Sequence, residues 1–217
     1  MIILKLCIMV LSVFFSLGYG VALFEMLKLF NINQPPEQYF IIGFVIFLPL
    51  WILYLKDRHF YSTFEHELTH LLVGLIFLKK PAHFTVTHDT GGETGLYGGN
   101  FIITLAPYFL PTLSLIILPF YLIISHEYQL YFISFFGFVV CYHICSTIQE
   151  FSYRQPDIIK SGKLFSTVFL VFANIIVYGY IFIFIGGGFK AGNQYLLDGM
   201  LESFRWVNQI INHYIID

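Results

Sequence analysis

Residues 60–78 read FYSTFEHELTHLLVGLIFL, an apolar stretch that is long enough to cross the hydrocarbon core of a bilayer as one helix. Four ionisable residues lie inside it: Glu65, His66, Glu67 and His70. Such residues are costly in a membrane helix unless they pair with one another or bind something, and for that reason they mark functional sites. The stretch therefore predicts a membrane helix that carries a polar functional site.

The composition of the whole chain also indicates a membrane location. Of its 217 residues, 58% are hydrophobic, 20% aromatic and only 11% charged, and the mean hydropathy is +0.77. A soluble domain has about a quarter charged residues, and a chain of this length cannot bury so much apolar surface in one core. These values exclude a soluble enzyme, a disordered segment and a collagen-like rod. The net charge of −2 argues against nucleic acid as a partner. We expect a multi-pass integral membrane protein, with the lipid bilayer as a partner and a bacterial cell membrane as its location.

Apolar runs predict an all-α polytopic fold with about six transmembrane helices. These runs are residues 6–24, 39–55, 60–78, 101–124, 128–148 and 164–185. The first run could also be a signal peptide behind Lys5, but it is longer than a typical signal core and the next run follows closely, so we favour an uncleaved helix. Pro107, Pro111 and Pro119 predict that the fourth helix is kinked or broken.

Two further elements are predicted outside these runs. Residues 83–88 and 93–97 alternate threonine with apolar residues around an Asp/Gly turn, which predicts a short β-hairpin. Residues 196–215 alternate polar and apolar residues at helical spacing, which predicts an amphipathic helix on the membrane surface. We expect one membrane-embedded domain over residues 1–217, with the core of the site in residues 60–186.

Residues 66–70, HELTH, match the pattern H-E-x-x-H. Two histidines four positions apart on a helix differ by about 40° in direction, so both imidazoles can bind one cation. Glu67 is offset by about 100°, near enough to reach a water on the metal without serving as a ligand. Zinc lowers the pKa of such a water to about 7, and a carboxylate takes its proton as general base, which suits amide hydrolysis at neutral pH. The alternatives are a polar helix lining a water cavity and a degenerate site in a former enzyme. Glu65 and His59, nearer the helix start, are expected at the membrane interface.

A catalytic zinc also needs a third protein ligand. Asp157 follows the fifth predicted span, where Pro156 breaks the helix. Glu150 lies one turn past the end of that span, and Asp198 lies in an L-D-G string that is also an ordinary turn signal. We favour Asp157 and keep Glu150 and Asp198 as alternatives.

The order of these features resembles a known family. An H-E-x-x-H motif in a membrane helix, followed by a hairpin, two further spans and an aspartate, resembles the site-2 protease family of intramembrane zinc metalloproteases (the M50 class), and its M50B-like branch in particular. The resemblance covers about residues 60–162. It implies a zinc metalloendopeptidase that hydrolyses peptide bonds in or near transmembrane segments of membrane-protein substrates.

The resemblance also implies roles for individual residues. His66, His70 and Asp157 would hold Zn²⁺, and Glu67 would be the catalytic residue that activates water. The string Gly98-Gly-Asn100 looks like the asparagine-containing start of the family's next core helix, which makes Asn100 a candidate substrate-binding residue. The N-x-x-P-x-x-x-L-D-G setting that is usual in the family is absent around the aspartate, and the L-D-G string stands later in the chain.

The predicted hairpin suggests how a substrate is held. Cleavage of a transmembrane helix requires its unwinding, and a strand edge at residues 83–88 could hold the unwound segment by β-addition; a plain loop is the alternative.

Two other functions compete with a peptidase. A catalytically silent scaffold that binds membrane clients is the first competing function. A small transporter is the second, and it is disfavoured because the first, second and sixth predicted spans have almost no polar residues.

Overall fold

The computed structural model describes residues 2–88 and 91–211, and the protein is mostly helical, at 78%, with one small hairpin. The elements in chain order are α1 (Ile2–Leu27), α2 (Pro35–Leu50), α3 (His59–Ile76), β1 (Pro81–Val86), β2 (Gly92–Leu96), α4 (Phe101–Leu105), α5 (Thr112–Ile117), α6 (Gln129–Glu150), α7 (Pro156–Ser161) and α8 (Lys163–Ile211). A π-helical turn, Trp51–Leu55, extends α2. Short 3₁₀ turns extend α4 and α5 and precede α6: Ala106–Tyr108, Leu118–Leu122 and His126–Tyr128.

Within the described residues, four helices are long and apolar enough to cross a membrane, compared with six predicted from the sequence. They are α1, α2 with its π-helical turn, α6 with the turn before it, and the part of α8 up to Arg205. The pair 101–108 and 112–122 would be a fifth crossing if it counts as one bent span. Helix α3 is not among the four because its ionisable residues lower its mean hydropathy.

The predicted break in the fourth apolar run is confirmed. The helical segments on either side of residues 109–111 differ in direction by 92°. Proline lacks an N–H donor and its ring clashes with the preceding turn, so Pro111 cannot continue the segment that ends at Tyr108. This bend places Tyr108, at the end of the first segment, beside α3.

The predicted hairpin is confirmed, with β1 starting two residues earlier than expected. The strands are antiparallel, with Thr85 opposite Glu93 and Phe84 opposite Thr94. The Thr87 N–H donates to the Gly91 carbonyl oxygen at 2.9 Å, which closes the ladder at the turn. Two of the three residues between them, Asp89 and Thr90, lie outside the described residues.

The chain forms two compact units. The terminal unit contains the chain up to Glu37 and from Leu164 onward, and the central unit contains Gln38–Lys163. In the central unit, Phe47 and Trp51 bury against Cys141 of α6. The Tyr142 hydroxyl of α6 donates to the carbonyl oxygen of Tyr61, which ties α6 to the first turn of α3.

In the terminal unit, α8 folds back on itself at Gly188. This residue has φ 62° and ψ −163°, a conformation that favours glycine because an L side chain is strained there. The two arms contact each other next to the fold-back. The Tyr180 hydroxyl donates to Asn193 Oδ1 at 3.3 Å, and the Tyr195 hydroxyl donates to the Ile175 carbonyl oxygen at 2.8 Å.

The second arm of α8 contains the helix predicted at residues 196–215, and it corrects that prediction in one respect, because the helix is not a separate element. The helical segment starts directly after Gly188 and is packed along α1. Gly18 of α1 lies directly against Ser203, and the Tyr19 hydroxyl donates to the Leu196 carbonyl oxygen at 3.0 Å. Small residues at a helix contact allow backbones to approach closely, which is why Gly199 and Ser203 are buried while Leu201 and Phe204 stay exposed. Residues 212–215 of the predicted helix lie outside the described residues.

Candidate metal centre

The centre of the site is a triangle of three donor atoms in the central unit. His66 Nε2 lies 3.2 Å from His70 Nε2, which is the arrangement expected from two histidines one helical turn apart on α3. Asp157 Oδ2, on α7, lies 3.2 Å from His66 Nε2 and 3.1 Å from His70 Nε2. The three side chains are partly buried, and among the described residues they are the one group of three or more His, Cys, Asp or Glu that could hold a metal ion.

The dimensions and chemistry of this triangle fit zinc. Zinc bonds to histidine nitrogen and carboxylate oxygen are about 2.0–2.2 Å long, so tetrahedral ligands lie roughly 3.3–3.5 Å apart. The three observed separations of 3.1–3.2 Å are within a few tenths of an ångström of that edge. Two imidazoles and one carboxylate also form a donor set that zinc takes in catalytic sites, where a fourth position stays open.

Asp157 reaches the histidines because α7 begins immediately before it. Pro156 occupies the first turn of α7, where its missing N–H has no cost, and Ile158 is fully buried and anchors the helix. Burial by itself raises the pKa of Asp157, but hydrogen bonds with His66 and His70 outweigh burial and hold that pKa below its ordinary value. The carboxylate is therefore ionised, as a metal ligand must be.

A backbone contact orients His70. Its Nδ1–H donates to the carbonyl oxygen of Ile103 at 2.8 Å, so the lone pair of Nε2 faces the triangle. Asn100, the predicted substrate-binding residue, caps the same short helix, since its Oδ1 accepts from the Ile103 N–H at 2.9 Å. The structure therefore gives Asn100 a role in placing Ile103, and its contact with a substrate stays a prediction.

The Glu67 side chain extends from α3 toward the hairpin. Its side chain is 8% exposed, and its carbonyl oxygen accepts a hydrogen bond from Thr94 Oγ1 at 3.0 Å. Gly92 at the start of β2 leaves room for it, because a Cβ there would lie 2.6 Å from Glu67 Cγ. The carboxylate is within electrostatic reach of His70. The hairpin thus restricts where this carboxylate can point.

The two alternative third ligands have other partners. Glu150 Oε1 accepts hydrogen bonds from Ser62 Oγ at 2.6 Å and Thr63 Oγ1 at 3.1 Å, so it binds the first turns of α3. Asp198 belongs to the terminal unit, and its Oδ1 accepts from Gln194 Nε2 at 2.7 Å. Of the three candidate carboxylates, the structure brings Asp157 to the two histidines.

Sequence reasoning missed Tyr108. Its hydroxyl donates a long hydrogen bond, 3.4 Å, to Asp157 Oδ2, and its ring meets the His66 ring edge-on with centroids 5.2 Å apart. The available signal was the break at Pro107 and Pro111, because a broken helix can direct a terminal side chain into a site that a continuous helix would cover.

Glu65 was also placed wrongly. It was expected at the membrane interface, but it is 1% exposed, and its Oε1 lies 3.0 Å from Nδ1 of the equally buried His143. His143 Nε2 in turn contacts Thr147 Oγ1 at 3.2 Å. Glu65 and Glu67 point in different directions from α3 because residues two apart on a helix differ by about 200°. The pair ties α3 to α6 next to the donor triangle.

A cavity of about 240 Å³ opens beside the triangle. His70 and Asp157 form part of its wall, and Thr94 and Leu96 of β2 form another part. Lys160, one turn after Asp157, also lines it. The cavity therefore connects the end of β2 with the donor atoms.

No protein-family model, curated protein or solved structure matches this chain.

Proposed function

We propose that this protein is an intramembrane zinc metalloendopeptidase of the site-2 protease type. The observation that carries the proposal is the near-equilateral triangle of His66, His70 and Asp157 donor atoms, with Glu67 following His66 on α3. Histidine and carboxylate donors at this spacing, an adjacent general base and an adjoining cavity are the parts that metal-assisted peptide hydrolysis needs.

Each residue has a role in that chemistry. Zinc, when bound by the triangle, supplies a Lewis acid that polarises the scissile carbonyl group and lowers the pKa of water. The Glu67 carboxylate accepts a proton from the attacking water and donates it to the leaving amine nitrogen. The Ile103 carbonyl oxygen keeps the His70 ring oriented, and the Tyr108 hydroxyl restrains the Asp157 carboxylate.

We propose that α3 also lies in the membrane, although it is less apolar than the four long helices. In this proposal α3 crosses the membrane together with the four long apolar helices and the bent pair of residues 101–122. The His66 and His70 side chains would then lie within the bilayer, next to a transmembrane substrate. A polar site at that depth is tolerated because its groups bind one another or a metal.

We assign substrate binding to the free edge of β2. Successive residues of a strand direct their backbone groups to opposite sides, and the Thr87–Gly91 hydrogen bond shows which set faces the partner strand. By this alternation the backbone groups of Thr94 and Leu96 point away from β1, and both residues line the cavity beside His70. An unwound segment that adds to this edge would bring its peptide bonds to the donor triangle. We therefore propose β2 as the recognition edge, in place of residues 83–88.

Unbiased cleavage profiling tests the proposal. The purified protein would be incubated in detergent with a library of single-span membrane segments, and new peptide termini would be identified by mass spectrometry. We expect cuts within or next to the apolar segment that stop when a zinc chelator is added and return with stoichiometric zinc. Cleavage that persists in chelator, or an absence of cleavage in zinc-loaded protein, would contradict the proposal and favour a client-binding scaffold.

A Gly92→Ala substitution tests the placement of Glu67. The new methyl group would lie 2.6 Å from Glu67 Cγ and 2.7 Å from Thr63 Cγ2, so the general base must move. Because a displacement of about 1 Å can cost about 100-fold in rate, we expect cleavage to fall by roughly 10- to 100-fold while the zinc content is unchanged. The matched control is Gly20→Ala in α1, where an added Cβ meets nothing within 4 Å. Equal rates for the two variants would show that the hairpin does not position Glu67.

A further inference from the structure

One end of the terminal unit brings three helix ends together. Helix α1 ends at Leu27, α2 begins at Pro35, and α8 folds back at Gly188. The ends of long apolar helices lie where the hydrocarbon core meets the lipid headgroups. A cavity at this end is therefore at the depth of the headgroups.

Such a cavity is present, and its volume is about 210 Å³. Most of its wall is apolar, with contributions from Met26, Leu29, Phe30 and Ile183. Glu37, in the first turn of α2, is the carboxylate that lines it. An apolar cavity with one fixed charge is suited to a ligand that carries the opposite charge on an apolar body.

The Glu37 carboxylate lacks the partner that its burial requires. The residue is 3% exposed, and its Oε2 is buried with no hydrogen-bond partner among the described residues. Gly186 leaves space for the carboxylate, because a Cβ on that residue would lie 2.8 Å from Glu37 Oε1. A buried carboxylate without a donor is costly, so a donor that enters the cavity would be bound strongly.

A second cavity of about 250 Å³ adjoins the first and is lined by a side chain of the opposite charge. The two share Met26, Gly187 and Ala191, and the second is also lined by Lys190. The helical arm that follows Gly188 starts here, so its first N–H groups have no acceptor within the helix. An ammonium side chain and a helix N-terminus together favour an anionic group.

We propose that the two adjoining cavities bind the headgroup of an aminophospholipid of the phosphatidylethanolamine class. The lipid ammonium group donates hydrogen bonds to Glu37, its phosphate group lies against Lys190 and the start of the second arm of α8, and the first part of its acyl chains contacts the apolar wall. A primary ammonium offers three N–H donors, as a lysine side chain does, whereas the quaternary ammonium of phosphatidylcholine offers none. This inference does not depend on the proposed peptidase activity.

Lipid titration of the delipidated full-length protein, followed by native mass spectrometry, tests this site. The probes are dihexanoyl phosphatidylethanolamine, dihexanoyl phosphatidylcholine and free phosphoethanolamine. We expect the ethanolamine lipid to bind about tenfold or more tightly than either of the other probes, the difference expected for charge-assisted hydrogen bonds. Equal binding of the two lipids would overturn the assignment of the ammonium group. Equal binding of free phosphoethanolamine would overturn the lipid as its source.

Two substitutions test whether Glu37 binds the lipid or only stabilises the fold. Glu37→Gln should lose about tenfold in affinity for the ethanolamine lipid and clearly less for the choline lipid, whose cation makes no hydrogen bond to the carboxylate. Its matched control is Glu25→Gln, at an exposed carboxylate that pairs with Lys28 at 2.7 Å, and this variant should bind as the wild type does. A melting temperature measured without lipid checks that both variants are folded.

Lys190→Ala distinguishes the lipid from an internal partner. If the lipid phosphate lies against Lys190, this variant binds the ethanolamine lipid more weakly. If instead the Lys190 side chain itself swings to Glu37, its removal frees the carboxylate and strengthens lipid binding, which would overturn the proposal. Unchanged affinity in Glu37→Gln would overturn it as well.

Discussion

Replacing Glu67 with glutamine is expected to reduce cleavage by about 10²- to 10⁴-fold, the contribution that a positioned general base makes to a rate. Glutamine keeps the shape of the side chain, which is 8% exposed between α3 and the hairpin, but it cannot accept a proton from water. The measurement is the single-turnover rate on a segment identified by cleavage profiling. The zinc content should stay at the wild-type value, because Glu67 is not a member of the donor triangle.

The control for this substitution is Glu127→Gln, at an exposed carboxylate before α6. It carries the same chemical change outside the site and should leave the rate unchanged. Retained cleavage by Glu67→Gln would remove Glu67 from the mechanism. Loss of zinc together with activity would show instead that the carboxylate helps to hold the metal.

The second large expected effect is the loss of bound zinc when one of its ligands is removed. We expect about one zinc per chain in the wild type and almost none in His66→Ala, His70→Ala or Asp157→Ala. Removing one of three protein ligands takes away a bond and leaves the other two side chains without a common partner. The measurement is elemental analysis of protein purified in detergent, with the melting temperature before and after chelation as a second readout, since a ligand of the native state stabilises it.

Glu150→Ala and Asp198→Ala are the matched carboxylate controls for the metal measurement. Both should keep their zinc, because Glu150 binds hydroxyl groups of α3 and Asp198 binds Gln194. Zinc that is retained in Asp157→Ala and lost in one of these variants would reassign the third ligand. A carefully prepared wild type without zinc would contradict the peptidase proposal and leave a client-binding scaffold as the better reading.

Several features were predictable because they depend on neighbouring residues. The distance between His66 and His70 follows from the pitch of a helix, so the H-E-x-x-H spacing was enough to place the two nitrogens together. The hairpin follows from alternation around a turn, and the break follows from Pro107 and Pro111. Each of these inferences uses backbone geometry within a few residues.

Other features depend on contacts between distant segments and were missed or placed wrongly. Glu65 pairs with His143, 78 positions away, and Tyr108 reaches Asp157 across 49 positions. The second arm of α8 has the polar and apolar spacing of a surface helix, but its small residues are packed against Gly18. Periodicity shows that a helix has an apolar face and does not show which neighbour covers that face.

By itself, the sequence determined that the protein is rich in apolar helices, that one helix carries two histidines one turn apart with a glutamate between them, and that a hairpin follows. Only the tertiary structure decided that Asp157, 91 positions from His66, is the carboxylate beside the histidines, and that β2 borders the adjoining cavity. The physical reason is the range of the interactions. Helix pitch and turn chemistry act within a few residues, whereas the approach of Asp157 depends on how α4, α6 and α7 are packed around α3, with burial and hydrogen bonds offsetting the chain entropy lost in ordering them.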